Sequence, residues 1–224
     1  MIKHLLFDMD NTLYPASSRM GDAITARMLR FTAQYLRCSE EEAVKMRRAR
    51  LPFYGTTLEW LRAECALSDA DTRAFLSAVH PASEIEDIDR DPELRPFLRS
   101  LGLPMTVLTN APMEHAARIL AFLQVDDLFL DVFDICANHF HGKPHESAYR
   151  AAVEAHGFTL AETLFFDDHP KYIAGYKALG GVPVLVSDRL DHKTLPADLQ
   201  DIIQIQSVYE AKRALAGLHL KYAV

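Results

Sequence analysis

The stretch Leu5-Leu6-Phe7-Asp8-Met9-Asp10-Asn11-Thr12-Leu13-Tyr14 lies at the start of the chain, and the rest of the sequence can be organised around it. Leu5-Leu6-Phe7 is an apolar run bounded by charge and too short for a helix, which predicts a buried strand. Asp8 and Asp10, at i and i+2 on an extended strand, point to the same side. Two like charges at a strand end repel one another, and are tolerated with a cation, a shared proton or open solvent. With a divalent cation such a pair makes a site where one carboxylate can attack as a nucleophile and the other can carry a proton. A D-x-D after an apolar run is also what an ordinary strand entering a polar loop looks like, so the other parts of a site must come from elsewhere in the chain.

Beyond Pro15 the pattern turns helical. Ile24, Met28, Phe31 and Tyr35 form an amphipathic stripe. Ser39-Glu40-Glu41-Glu42 is a capping-box signature that starts a second helix, which Pro52 and Gly55 break. Thr57-Leu58-Glu59-Trp60-Leu61 begins a third, and Ser68-Asp69-Ala70-Asp71 a fourth, ended by His80-Pro81. After an acidic, irregular crossing over Ile85–Asp91, short apolar runs alternate with helical ones. Strands are expected at Met105–Leu108, Val132–Cys136, Thr163–Phe166 and Pro183–Val186. Helices are expected at Pro92–Leu101, Glu114–Leu123, Glu146–His156 and Tyr172–Leu179, with a closing helix over Ser207–Leu218. This alternation predicts an α/β fold, a doubly wound parallel sheet covered on both faces. The all-helical block 15–88 interrupts the sheet directly after its first strand, leaving 1–14 and 89–224 as the core. Ligands of open α/β sheets bind beyond the carboxyl ends of the strands, and an insert there would form a lid over Asp8 and Asp10.

The later strands also end in polar residues. Thr109-Asn110 follows the second, Gly142-Lys143-Pro144 the third and Asp167-Asp168 the fourth. With the opening pair these make a metal-assisted phosphate site, because a hard ion such as Mg2+ takes oxygen ligands and keeps open positions for phosphate. Asp8, Asp167 and Asp168 would supply carboxylates. Thr109 and nearby backbone amides would hold phosphate oxygens, and Lys143 would offset the negative charge. Singly, each has a structural explanation: helix N-capping for Thr109-Asn110, a turn lysine for Lys143, a helix-capping loop for the acids. Four in order at four strand ends point to a phosphate-handling enzyme.

These motifs resemble those of the haloacid dehalogenase superfamily of phosphatases. F-D-x-D-N-T-L-Y looks like the first motif, Leu108-Thr109-Asn110 the second, Lys143 the third and Phe166-Asp167-Asp168 the fourth. The resemblance covers the whole chain and implies a Rossmann-like core with a helical cap inserted after the first strand. It implies Asp8 as the nucleophile forming a phosphoaspartyl intermediate and Asp10 as general acid, then base. Mg2+ would be held by Asp8, the Asp10 backbone carbonyl and the fourth-motif acids, Asp168 directly with Asp167 beside it. Since Asp10 must be protonated to serve the leaving oxygen, its pKa is expected to be raised. Within the superfamily the chain is similar to the pyrimidine 5′-nucleotidase-like group. Asn11-Thr12-Leu13-Tyr14, the segment Tyr54-Gly55-Thr56-Thr57-Leu58, and Thr109-Asn110-Ala111 with His115-Ala116 carry that likeness. It implies a nucleoside 5′-monophosphate or similar small phosphorylated metabolite, bound by Thr109, Asn110, Lys143, Tyr54, Gly55 and Thr56. Two departures stand out: His169-Pro170 where Ser is usual after the acids, and Tyr172 where Asn is common.

A phosphoglycolate or sugar-phosphate phosphatase, or a phosphomutase, could use the same pair. A 2-haloacid dehalogenase needs Asp8 but neither a metal nor Asp10, and a non-catalytic binding protein would not need every position filled. His139, His141 and His145, with Cys136 near, match no standard zinc spacing. Trp60 is expected in the cap core, and Phe53 and Tyr54 are better placed to stack on a base. A net charge of −7 argues against a nucleic-acid polymer as partner. Three isolated cysteines suit a reducing compartment. No targeting segment or bilayer-length apolar run is evident. The expectation is a cytoplasmic monomer or homodimer acting on a small metabolite, with no membrane partner.

Overall fold

The computed structural model describes residues 1–188 and 195–221. The opening run forms β1 (His4–Phe7), buried along its whole length. Parallel neighbours flank it: β2 (Met105–Leu108) on one side and β4 (Thr163–Asp167) on the other. The sheet continues outward through β3 (Val132–Phe133), β5 (Val182–Val186) and β6 (Ile203–Ile205), in the order β3-β2-β1-β4-β5-β6 with every pairing parallel. Alternation along the strands divides the interior in two. Leu5, Phe7, Val107 and Phe166 face one core, with α6 (Met113–Phe122) and α9 (Ala211–Lys221). Leu6, Leu108 and Phe165 face the other, with α7 (Glu146–Glu154) and α8 (Pro170–Ala178). The expected doubly wound α/β sheet is what the chain builds. Each buried leucine or phenylalanine contributes roughly 1.5–3 kcal/mol of transfer free energy.

Between β1 and β2 run α1 (Met20–Leu36), α2 (Glu40–Arg50), α3 (Thr57–Glu64), α4 (Asp69–Val79) and the short α5 (Leu94–Arg99). The capping boxes at Ser39 and Ser68 both form. Helices α1, α3 and α4 share an apolar cluster around Leu58, Trp60, Leu61 and Phe75, which also takes in Ile135 from beyond β3. No helix among the described residues is long and apolar enough to cross a membrane.

Four expectations need correction. The Asp8/Asp10 pair is not on extended strand: β1 stops at Phe7, and Thr12 and Leu13 donate back to the Met9 carbonyl, folding the segment into a turn. Asn11 takes the left-handed conformation there (φ 60°), which asparagine tolerates. The third strand does not reach Cys136, because Ile135 leaves the sheet to pack among the inserted helices. The crossing over Ile85–Asp91 is partly ordered, since a 3-10 turn spans Ala82–Asp87 and buries Glu84. The strand β6 was not anticipated, although Ile203 and Ile205 alternate with Gln204 as a strand should.

Candidate active site

The carboxyl ends of β1, β2 and β4 meet where the strand order reverses, the usual crevice of an open α/β sheet. Register places them side by side: Phe7 is level with both Val107 and Phe166, so Asp8 and Asp167 lie one step further along. Lys143 reaches between them, its Nζ 2.5 Å from Asp8 Oδ1 and 2.6 Å from Asp167 Oδ2. All three residues are buried. Thr12 Oγ1 donates to the other Asp8 oxygen at 3.1 Å. Asn11 Nδ2 donates to Asp168 at 3.2 Å, and Asp167 accepts from the His169 N–H.

Asp8, Asp167 and Asp168 each offer a carboxylate oxygen, all within 4.8 Å of one another. Their electrostatics match that crowding. Burial lifts the Asp8 carboxyl well above the usual range; Lys143 opposes the rise and the neighbouring acids add to it. Asp168 is pushed up to about 7, first by burial and then by Asp167. Burial would lower the Lys143 pKa, but the two carboxylates outweigh it and hold the ammonium charged. A cluster of oxygen donors with more negative charge than one lysine balances suits a hard divalent cation.

Asn110 lines the cleft and also holds the main chain of Lys143. Its amide accepts from the Lys143 N–H at 2.7 Å and donates to the Lys143 carbonyl at 3.0 Å, so its side chain brackets the lysine. Thr109 is buried on the cleft wall, its hydroxyl accepting from the Ala111 N–H.

Asp10 lines the same cleft. Its Oδ1 accepts from Tyr14 Oη at 2.5 Å and lies 2.8 Å from His115 Nε2. On the far side, His115 Nδ1 is 2.7 Å from Glu84 Oε1. The expected rise in the Asp10 pKa is not found. Burial alone would raise it, but the His115 charge and the hydrogen bonds from His115 and Tyr14 pull it below the ordinary value. Burial would likewise lower His115, yet Asp10 and Glu84 lift it to about 9. The resting proton is therefore on the imidazole. His80, Glu84 and His115 also present ligand atoms close together, but the Arg118 guanidinium, 2.7 Å from Glu84, already supplies positive charge there.

The inserted helices cover the cleft, a space of about 290 Å³ walled on their side by Ile24, Met28, Leu58, Phe75 and Leu76. Gly55 and Thr56 line it. Tyr54 does not: its hydroxyl donates to Glu64 at 2.9 Å, away from the cleft lining. Phe53 is 78% exposed. Both fall away as base-stacking platforms. The two departures in the fourth motif have structural roles. His169 caps α8 by accepting from the Lys171 N–H, and Tyr172 Oη donates to the Gly55 carbonyl at 3.1 Å. Among the described residues, His139, His141 and Cys136 do not gather with His145 into a cluster of ligand atoms, and His145 pairs with Glu59 at 2.8 Å. His115, Glu84 and Lys171 were missed as working residues. The available signal was a histidine on the apolar face of the helix after Thr109-Asn110.

A family model for haloacid dehalogenase-like hydrolases matches residues 2–180. Among known proteins, haloacetate dehalogenase H-2 of Moraxella sp. (strain B) is 25% identical over 194 residues, covering 80% of this chain and 83% of the relative. Among solved structures, a HAD phosphatase from Thermococcus onnurineus superposes with a TM-score of 0.66 at 18% identity, over 96% of this chain and 99% of that one. An L-2-haloacid dehalogenase from Xanthobacter autotrophicus, with chloropropionic acid covalently bound, gives 0.63 at 19% identity, over 97% and 100%. At such identities these structures speak to the fold alone.

Proposed function

The chain belongs to the haloacid dehalogenase-like hydrolases, and from that premise we propose that it is a Mg2+-dependent phosphomonoesterase working through a phosphoaspartyl intermediate. The observation that carries this reading is the convergence of Lys143 on Asp8 and Asp167, with Asp168 beside them and Asp10 facing the same cleft. Asp8 attacks phosphorus: a bond forms from its carboxylate oxygen and the bond to the leaving oxygen breaks. Asp10, which rests ionised, must first take up a proton; it delivers that proton to the leaving oxygen and is recharged by the water that hydrolyses the acyl phosphate. Lys143 relieves the repulsion between carboxylate and phosphate. When bound, Mg2+ supplies further charge neutralisation on the phosphoryl oxygens. Asp8, Asp167, Asp168 and the Asp10 carbonyl are the groups that would hold it. Thr109 and adjacent backbone amides hold the phosphate.

In this reading residues 15–88 are the cap, closing for chemistry and opening for exchange. Their apolar wall suits a flat organic leaving group better than a polyol. That supports a nucleoside 5′-monophosphate, a pyrimidine nucleotide in particular, with Gly55 and Thr56 at its edge. The dehalogenase relative gives a second reading. Displacing a halide ion needs no proton donor, however, and Asp10 with its Tyr14 and His115 partners would then have no task.

One assay separates the two. Phosphate release is measured from a panel of nucleotides, sugar phosphates and phosphoglycolate, with Mg2+ and with EDTA, beside halide release from a haloacetate. We expect Mg2+-dependent turnover of nucleotides, abolished in Asp8→Asn. Halide release without phosphatase activity would remove the mechanism, and turnover restricted to sugar phosphates or phosphoglycolate would remove the nucleotidase assignment.

A further inference from the structure

We propose that His115, oriented by Glu84, is the positioning residue that sets Asp10 for proton transfer, and that the arm returning from the inserted helices reaches the chemistry through this pair. The inference rests on the phosphomonoesterase reading and adds residues that the four strand-end motifs do not contain.

The geometry is directional. His115 stands between two carboxylates, with Nε2 2.8 Å from Asp10 Oδ1 and Nδ1 2.7 Å from Glu84 Oε1. An ionised carboxylate oxygen only accepts, so Nε2–H donates to Asp10, while Nδ1 stands in close ion-pair contact with Glu84 without a well-aligned hydrogen bond, and a flipped ring would lose the Asp10 bond. Tyr14 donates to the same Asp10 oxygen at 2.5 Å. Two donors on Oδ1 fix the plane of the carboxyl group and leave Oδ2 for the cleft, where a leaving oxygen or a water would need it.

Glu84 is itself immobilised. Arg118 donates to its Oε1 from Nε at 3.1 Å and Nη2 at 2.7 Å, and His80 Nδ1 lies 3.3 Å from its Oε2. Glu84 and His115 are both buried. Burying such a cluster is weak evidence for stability, because well-packed apolar side chains would do as well or better. Among the described residues, its hydrogen-bonded link to the reacting groups runs through Asp10.

The same cluster joins the two parts of the chain. His80 and Glu84 lie on the segment that leaves α4 on the way back to the sheet. Arg27 of α1 grips that segment, donating to the Val79 carbonyl at 2.7 Å and to Asp87 at 3.3 Å. A shift of the inserted helices would move Glu84, and with it the ring that holds Asp10.

The test uses the full chain and two phosphomonoesters, one with an activated nitroaryl leaving group and one with an alkyl leaving group. Protonation of the leaving oxygen matters for the alkyl ester and hardly for the nitroaryl one, and kcat/KM reports steps up to the first irreversible transfer. For both His115→Gln and Glu84→Gln we expect kcat/KM on the alkyl ester to fall about 100-fold and on the nitroaryl ester less than about threefold. Asp10→Asn should give the same signature, and His115→Gln added to it should cost little more. Glu84→Gln leaves His115 itself in place, so it carries the test if the His115 variant folds poorly. Equal losses on both esters, no loss on either, or full additivity with Asp10→Asn would overturn the proposal. A wild-type protein that hydrolyses neither ester would instead overturn the phosphatase reading beneath it.

Discussion

A Cβ on Gly142 would stand 2.1 Å from Asn110 Oδ1, and that amide brackets the Lys143 main chain from both sides. Gly142→Ala must therefore push the bracket apart and shift the lysine away from Asp8. Misplacement by about 1 Å at a reacting centre costs on the order of 100-fold. We expect kcat to fall by roughly that factor, with the far-UV circular dichroism spectrum unchanged; an alanine variant with wild-type kcat would show that the bracket does not control Lys143. The two fourth-motif acids were legible in the sequence because they follow an apolar run at a strand end, and Lys143 because it falls between the second and fourth motifs in order, although it lies in the loop beyond β3. The ionisation of Asp10 was not. Its neighbour His115 comes from a distant segment, and the charge of that ring, with the hydrogen bonds from His115 and Tyr14, reverses the upward shift that burial alone would cause.

Among the elements, β1 carries a polar residue in an otherwise apolar strand. His4 is buried, its Nδ1 3.1 Å from Thr163 Oγ1 and its Nε2 2.9 Å from Thr106 Oγ1. Thr163 donates its own proton to the Thr159 carbonyl, so it accepts from His4 Nδ1–H, and Nε2 is left to accept from Thr106. The ring is thus held neutral, and burial, with a smaller contribution from His156, lowers its pKa to about 4. The sign follows directly. Below about pH 6.5 the unfolded chain takes up a proton at this histidine that the folded one refuses, so stability is full above that pH and is lost as pH falls towards 4. The contribution is about 3 kcal/mol. Urea unfolding of wild type and His4→Gln at pH 7 and pH 4.5 isolates it: the variant should lose less stability on acidification, and parallel losses would count against a neutral buried ring. Local pattern made this element visible, as it did the helices begun by Ser39 and Ser68. β6 and the truncated β3 were harder, because edge strands of three and two residues leave little periodicity to detect.

For the whole molecule, the question is what holds the helical block over the cleft. Lys171 donates to the carbonyls of Leu51 and Tyr54, each at 2.6 Å. Tyr172 donates to Gly55, and Glu59 joins the Gly55 N–H to His145. These contacts tie one loop of the proposed cap to the helix that follows the fourth motif and to the start of α7. Hydrogen bonds from a charged donor contribute roughly 1.5–3 kcal/mol, so Lys171→Met should speed amide exchange over residues 51–57 by about tenfold or more and raise KM. Unchanged exchange would mean that apolar packing, not Lys171, keeps the loop in place.

The parallel sheet, the helical insert and the acids at the strand tips follow from spacing along the chain, because strand alternation, helix caps and parallel register are short-range rules. The second layer around Asp10 and the clasp on the cap loop came into view only with the folded coordinates. Charge partnership depends on distance and on exclusion of water, and neither exists until His115, Glu84 and Lys171 are brought across the molecule to meet their partners.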